Sequence, residues 1–262
     1  MDAVLTAGGT PEPGDPLYPY TQGKPKALLE IAGKPMIQWV LDALEGSTLI
    51  DRVLIIGIEA DCGVTSPKVT AFIPDQGSLL ENIVEGVHRV VEINPAADHV
   101  LYVSSDIPAI TPEMVDWVVK AAKESDLDAV YNLISRDVME KRFPNSRRSF
   151  TKLRDVEVCG GDMNVIRART VTGSNELWDR IIRARKNVLK QAALIGFDTL
   201  ILLALRLITL DEGVKRATRR LKITGGVVLC PYAEVGMDVD KPNQLEMLRE
   251  VMAQRGLSPS PA

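Results

Sequence analysis

Three short segments, far apart along the chain, carry residues that together could handle a nucleoside polyphosphate. The first runs from Ala7-Gly8-Gly9-Thr10 to Lys24-Pro25-Lys26. Glycines let backbone N–H groups approach phosphate oxygens with no side chain in the way, and each lysine adds a point charge where negative charge accumulates. The second segment is Ser105-Asp106-Ile107-Pro108 and the third Asp238-Val239-Asp240-Lys241-Pro242. Carboxylates delivered from two strand ends suit Mg²⁺, which takes oxygen ligands, usually one or two carboxylates together with phosphate oxygens and water. Each segment alone has a plainer reading. Gly-Gly after a strand is an ordinary tight turn, and a lone aspartate at a strand end is more often an N-cap. Their presence in one chain points to chemistry on a triphosphate.

To act together these segments must share one end of a scaffold, and the apolar pattern supplies it. Residues 3–6, 53–58, 69–73, 99–103 and 128–134 read as strands, and residues 36–44, 79–92 and the stretch opened by Thr111-Pro112-Glu113 read as helices. Strands alternating with helices of this length predict an α/β fold, a Rossmann-like three-layer domain on a mostly parallel, doubly wound sheet. Ligands in such sheets sit beyond the carboxyl ends of the strands, where Asp106 falls.

Other stretches add expectations. Pro11, Pro13, Pro16 and Pro19 exclude a helix from residues 8–24 and predict a flap across whatever the glycines hold. Residues 136–149 are charged and aperiodic, with Arg142, Arg147 and Arg148 close together, which fits a solvated excursion or a clamp for a phosphorylated acceptor. Short strands at 150–158 and 163–166 flank Gly160-Gly161-Asp162, where a glycine pair again suggests close backbone approach to a ligand. Residues 174–220 turn helical. The apolar residues from Leu194 to Leu207 cover more than one side of a helix, as in a buried helix, a homodimer surface or a lipid-facing groove. A strand at 226–229 and a last helix ending near Arg255 complete a domain over residues 1–256, with 170–222 as a C-terminal helical insertion and 257–262 as a frayed tail.

Composition bounds the function. The 262 residues are 45% apolar, ample for a buried core, and the formal charge of −4 gives no basic footprint for a nucleic acid. Cys62, Cys159 and Cys230 are widely spaced, and His88 and His99 are the imidazoles, which disfavours a zinc site or a disulfide framework and fits a reducing cytoplasm. The most apolar run, Leu200 to Leu205, falls far short of the roughly 18 residues needed to span a bilayer. With no leader pattern before the first strand, a soluble cytoplasmic protein is expected.

Leu5-Thr6-Ala7-Gly8-Gly9, Pro25-Lys26-Ala27-Leu28-Leu29 and Ala32-Gly33-Lys34-Pro35-Met36-Ile37 resemble the opening of the nucleotidyltransferase superfamily. This superfamily includes the sugar-1-phosphate nucleotidyltransferases and the MobA-like proteins. The resemblance implies a GT-A-type domain, with Lys26 and Lys24 acting on the phosphates and Ala7, Gly8, Gly9 and Thr10 cradling them. Gln76-Gly77-Ser78, with Asn82 one turn into the helix, is similar to the segment that reads the nucleobase. Gly161-Asp162-Met163-Asn164 resembles the part bordering the acceptor, through Gly161, Asp162 and Asn164. Asp106 matches the family's metal-binding aspartate. Asp238 and Asp240 match its C-terminal D-x-D-x-P stretch, in which Asp240 contacts the metal and Asp238 supports it. The implied reaction is Mg²⁺-dependent transfer of a nucleoside monophosphate from a nucleoside triphosphate to a small phosphorylated acceptor, with release of pyrophosphate.

One departure stands out. Many relatives carry an arginine a few residues beyond the glycine turn, where this chain reads Glu12-Pro13-Gly14-Asp15-Pro16-Leu17-Tyr18. Either Lys24 or Lys26 compensates, turnover is slow, or the chain binds nucleotide without consuming it. A glycosyltransferase using a nucleotide-sugar would also hold a metal with an Asp-x-Asp pair, although such a pair is expected mid-chain.

Overall fold

The computed structural model describes residues 1–173, 178, 181–182, 196–221 and 223–257. The chain opens with β1 (Asp2–Thr6), a one-turn helix α1 (Tyr18–Thr21) and a 3-10 turn at Lys26–Leu28, then a small hairpin of β2 (Glu30–Ile31) and β3 (Lys34–Pro35). Next come α2 (Met36–Gly46), β4 (Arg52–Ile56), β5 (Val69–Ile73), α3 (Leu79–Ile93), β6 (His99–Ser104) and α4 (Pro112–Ser125). The second half holds β7 (Ala129–Ser135), α5 (Arg136–Arg142), β8 (Thr151–Lys152), β9 (Glu157–Gly160), β10 (Met163–Arg167) and α6 (Ala168–Thr172). After these follow α7 (Phe197–Ala204), α8 (Leu210–Leu221), β11 (Gly225–Leu229), a 3-10 turn at Ala233–Gly236 and α9 (Pro242–Leu257).

Among the described residues one nine-stranded sheet runs in the order β5-β4-β1-β6-β10-β7-β9-β8, with β11 beside β7. The pairs β5–β4, β4–β1, β1–β6 and β7–β11 are parallel, whereas β10 runs antiparallel to both β6 and β7. The fold is therefore α/β and Rossmann-like, as the strand–helix alternation predicts. Alternate residues of β1 show why. Ala3 and Leu5 face a core packed by α2 and α4, while Val4 faces a second core packed by α3. Period-two alternation with apolar residues on both sides requires cover on both faces, which makes three layers.

The antiparallel side is organised by a bulge. β9 ends with Gly160 opposite Leu133, and β10 resumes with Val165 opposite Val130, so the strand following β7 in antiparallel register carries extra residues between those points. Asn164 repairs the gap, accepting from Asn132 N–H at 2.7 Å and donating to the Gly161 carbonyl at 2.8 Å. Asn132 donates in turn to the Met163 carbonyl at 2.9 Å. A β-carbon on Gly160 would lie 2.6 Å from the Tyr131 hydroxyl, and one on Gly161 would lie 2.9 Å from the Asn132 carbonyl. Packing against β7 is thus reason enough for the glycine pair.

Two expectations are corrected, and a set of alternatives is narrowed. Residues 8–24 do contain a helical turn, α1, with Pro19 in its first turn, where its missing N–H has no partner to lose. The charged stretch after β7 begins as a helix, α5, whose Arg136 pairs with Glu157 and Glu140 and whose Arg142 pairs with buried Glu234. The apolar run around α7 is not wholly buried, since Ile201, Leu205 and Leu207 are each more than half exposed. The helical readings at 174–177, 179–180 and 183–195, including Leu194 and Ile195, and the frayed tail at 258–262 lie outside the described residues.

Candidate functional site

The parallel strands end on one edge of the sheet, and the expected site residues follow them directly. β1 runs into Ala7-Gly8-Gly9, β5 into Pro74-Asp75-Gln76-Gly77-Ser78 and β6 into Ser105-Asp106. A cleft of about 340 Å³ lies across these ends, lined among others by Ala7, Gly8, Gly9, Lys26, Gly77, Ser78, Asn82 and Asp106. A neighbouring hollow of about 280 Å³ is bounded by Gly9, Thr10, Asp15, Leu17, Lys26 and Asp240. Gly9 and Lys26 border both.

One wall is held by short-range bonds. Asn82 accepts from Gln76 N–H at 2.7 Å and donates to the Asp75 carboxylate at 2.7 Å, while Gly77 N–H donates to Asp75 at 3.2 Å. Ser78 caps α3 by accepting from Glu81 N–H, worth about 1 kcal/mol. The N-terminal turn of this 15-residue helix, with its partial positive charge, therefore faces the cleft. Gly8 packs directly on the latch, since a β-carbon there would sit 2.2 Å from the Asp75 carboxylate. Gly57, at φ +106°, lets the loop after β4 pass beneath Gly8. Asp75 is a cleft residue that sequence reasoning passed over. Its signal was its place just past a parallel strand.

The other wall joins distant segments. Lys26 is set by the 3-10 turn, with its N–H donating to the Gly9 carbonyl at 2.8 Å. Its ammonium donates to Asp106 at 2.7 Å and to Asp240 at 2.8 Å. Burial works against that charge, but the two carboxylates more than offset it and hold the ammonium above its usual pKa. The Asp106 carbonyl accepts from Val239 N–H at 3.0 Å, which brings Asp238 and Asp240 alongside. One carboxylate oxygen from each of Asp106, Asp238 and Asp240 lies within 4.8 Å of the others.

Arg148 closes this wall. It pairs with Asp238, donates to the Gly160 carbonyl at 3.3 Å and lies 3.9 Å from Asp162. Its loop is pinned from below, with Gln244 donating to the Ser146 carbonyl and Lys241 to the Arg147 carbonyl. The solvated reading of this stretch therefore fails for Arg148, whose side chain is only 14% exposed. Burial, reinforced by Asp106 and offset in part by Arg148, pushes the Asp162 carboxyl up to about 7.

The sequence-named residues thus divide. Lys26, Asp106, Asp238 and Asp240 converge, and Ala7, Gly8, Gly9, Gly77, Ser78 and Asn82 line the adjoining cleft. Thr10 borders the second hollow instead. Gln76 is exposed and donates from its side chain to the Pro74 carbonyl. Lys24 is exposed and lines neither hollow. Asn164 is buried and spends its amide on the bulge, and Gly161 is packed on β7, so of the acceptor trio Asp162 stands nearest the carboxylates.

The donor set fits a divalent cation. Asp106 offers a buried carboxylate oxygen that has no hydrogen-bond partner among the described residues, beside the carboxylates of Asp240, which Lys26 links to Asp106, and Asp238, which pairs with Arg148.

Residues 20–221 match the family model described as the MobA-like NTP transferase domain. The chain belongs to that family. A hypothetical transferase from Thermus thermophilus shares 30% identity and superposes with a TM-score of 0.79 over 93% of this chain and 98% of that one. A probable molybdenum cofactor guanylyltransferase from Pyrococcus horikoshii is 30% identical over 103 residues. That match covers 39% of this chain and half of the relative's length. A 3-deoxy-manno-octulosonate cytidylyltransferase from Synechococcus elongatus is 29% identical over 109 residues, 39% of this chain and 42% of the relative. A solved CMP:2-keto-3-deoxy-manno-octonic acid synthetase, complexed with CTP, covers 97% of this chain and 98% of its own at TM-score 0.55 and 18% identity, and so shares the fold. In this MobA-like domain no helix among the described residues is long and apolar enough to cross a membrane.

Proposed function

We propose that the chain is a nucleotidyltransferase that moves a nucleoside monophosphate from a nucleoside triphosphate to a small phosphorylated acceptor, releasing pyrophosphate. The observation that carries this reading is the meeting of Lys26 with Asp106 at 2.7 Å and with Asp240 at 2.8 Å, on the rim of the cleft that Gly8, Gly9 and the start of α3 form. The relatives' names, which include guanylyltransferases and cytidylyltransferases, support it.

In this reading the triphosphate lies across Gly9, where backbone donors and the α3 N-terminus face its oxygens, and the base lies toward Gly77 and Asn82. An oxygen of the acceptor phosphate forms a bond to the α-phosphorus as the bond to the bridging β-phosphate oxygen breaks, and pyrophosphate leaves with that electron pair. An acceptor that is already an anion needs no general base. Lys26 supplies positive charge where the equatorial and leaving oxygens gain negative charge. Asp106 and Asp240, supported by Asp238, would hold Mg²⁺, which when bound neutralises phosphate charge. The carboxylate of Asp75, bordering the base end, is the acceptor that guanine's N1–H and amino group would seek, and it favours GTP.

The test is a thermal-shift screen of the four nucleoside triphosphates with Mg²⁺, followed by pyrophosphate release over a panel of phosphate monoesters. GTP is expected to give the largest shift, and pyrophosphate is expected only when an acceptor is present. Binding of nucleotide with no consumption across the panel would reject the transferase reading.

A further inference from the structure

Every carboxylate of the proposed cation site already has a cation of the chain's own. Lys26 bridges Asp106 and Asp240, and Arg148 pairs with Asp238. The two are held differently. Arg148 is committed to Asp238 and the Gly160 carbonyl from a pinned loop. Lys26 is anchored at its backbone, where its N–H donates to the Gly9 carbonyl and its carbonyl accepts from Leu29 N–H, while its side chain borders both open hollows and is held by the two carboxylates alone among the described residues. A lysine stem is flexible and its ammonium is a point charge that takes partners from any side.

We propose that Lys26 is a built-in counter-ion that blocks the Asp106–Asp240 pair against a lone divalent cation and releases it when a triphosphate arrives. This rests on the nucleotidyltransferase reading of the same site. A bare divalent ion entering the pair must displace the ammonium, which has no other hydrogen-bond partner among the described residues, or sit against it at a repulsive separation. Mg²⁺ gives up water reluctantly, which adds to that barrier. A triphosphate on Gly9 changes the balance because it offers Lys26 a new anionic partner within a swing of its side chain, and the vacated carboxylates then face the incoming ion. Cation and nucleotide therefore bind with positive coupling, and that coupling is reciprocal. The lysine would thus keep the carboxylates paired in the absence of substrate and make cation binding conditional on it.

Calorimetric titration of the full chain with MnCl₂, alone and with a saturating α,β-methylene analogue of GTP, reads this directly. In the wild type the analogue should raise Mn²⁺ affinity about tenfold or more. Lys26→Met and Lys26→Gln should each bind Mn²⁺ alone about tenfold more tightly than the wild type, with the coupling shrinking toward none. Equal affinity for Mn²⁺ alone in the wild type and both variants overturns the inference and leaves the transferase reading standing. Should neither variant fold, the wild type decides: Mn²⁺ binding that is as tight without the analogue as with it overturns the inference. Absence of Mn²⁺ binding to all three proteins, even with the analogue, sinks the transferase reading and this inference with it.

Discussion

The two walls of the cleft are built on opposite plans. The wall at Gly8, Asp75 and Asn82 is closed by bonds between residues two to seven apart in sequence, around the turn from β5 into α3. The wall at Asp106, Asp240 and Arg148 is closed by ion pairs between residues 80, 214 and 90 apart. A local wall takes its shape from turn geometry and a helix cap, so it forms wherever β5 and α3 form. A wall of distant charges exists only once the whole sheet is assembled, and removing Lys26 or Arg148 leaves a largely buried carboxylate, Asp106 or Asp238, without its counter-charge. On the proposed reading, the difference teaches where function and stability are coupled: closely at the carboxylates, loosely at the Asp75–Asn82 wall.

Substitutions can break or sharpen that contrast. The largest effect is expected from Lys26→Ala or Asp106→Asn, which should lower pyrophosphate release by about 10²-fold or more while unfolding stays cooperative. Near wild-type release from both would remove the charged wall from the chemistry. Next, Arg148→Met leaves Asp238 and Asp162 without their counter-charge and should cost about 2–3 kcal/mol in denaturant unfolding. Adding Asp238→Asn should restore part of that loss, and no recovery in the double variant would mean that the pair is not what Arg148 stabilises. Gly8→Ala places a methyl group into the Asp75 carboxylate, so nucleotide affinity by calorimetry should fall about tenfold with little change in melting temperature. The smallest effect belongs to Ser78→Ala, which loses one helix cap and should cost about 1 kcal/mol in the same unfolding measurement. A loss at Ser78 as large as that at Arg148 would erase the distinction between the walls.

Much of this was legible before any coordinates. β1, β4 and β6 could be read because strands buried on both faces need continuous apolar runs, and the residues just past their ends fall at the ligand edge of a parallel sheet. Gly8, Gly9, Lys26, Asp106 and Asp240 were readable for that reason, together with the family resemblance. Gly160 and Gly161 could be read two ways, because a glycine needed for packing against a neighbouring strand looks the same in sequence as one needed for a ligand, and only the fold shows how closely they pack on β7. Arg148 sat in a stretch whose charge pattern fits solvent, and only the loop pinned by Lys241 and Gln244 turns it inward. Asp75 carried no motif beyond its place after β5.

By itself, then, the order of apolar runs, glycines and acidic strand ends determined the α/β scaffold and the strand-end edge where the candidate site lies, since these follow from local periodicity and chain reversal, while the family was legible through the resemblance of its opening motifs. Which carboxylates share a cation, which arginine faces them and which lysine bridges them was decided only in three dimensions. Electrostatic partnership depends on distance and burial, and neither is fixed until segments 80 to 214 residues apart are packed onto the same rim.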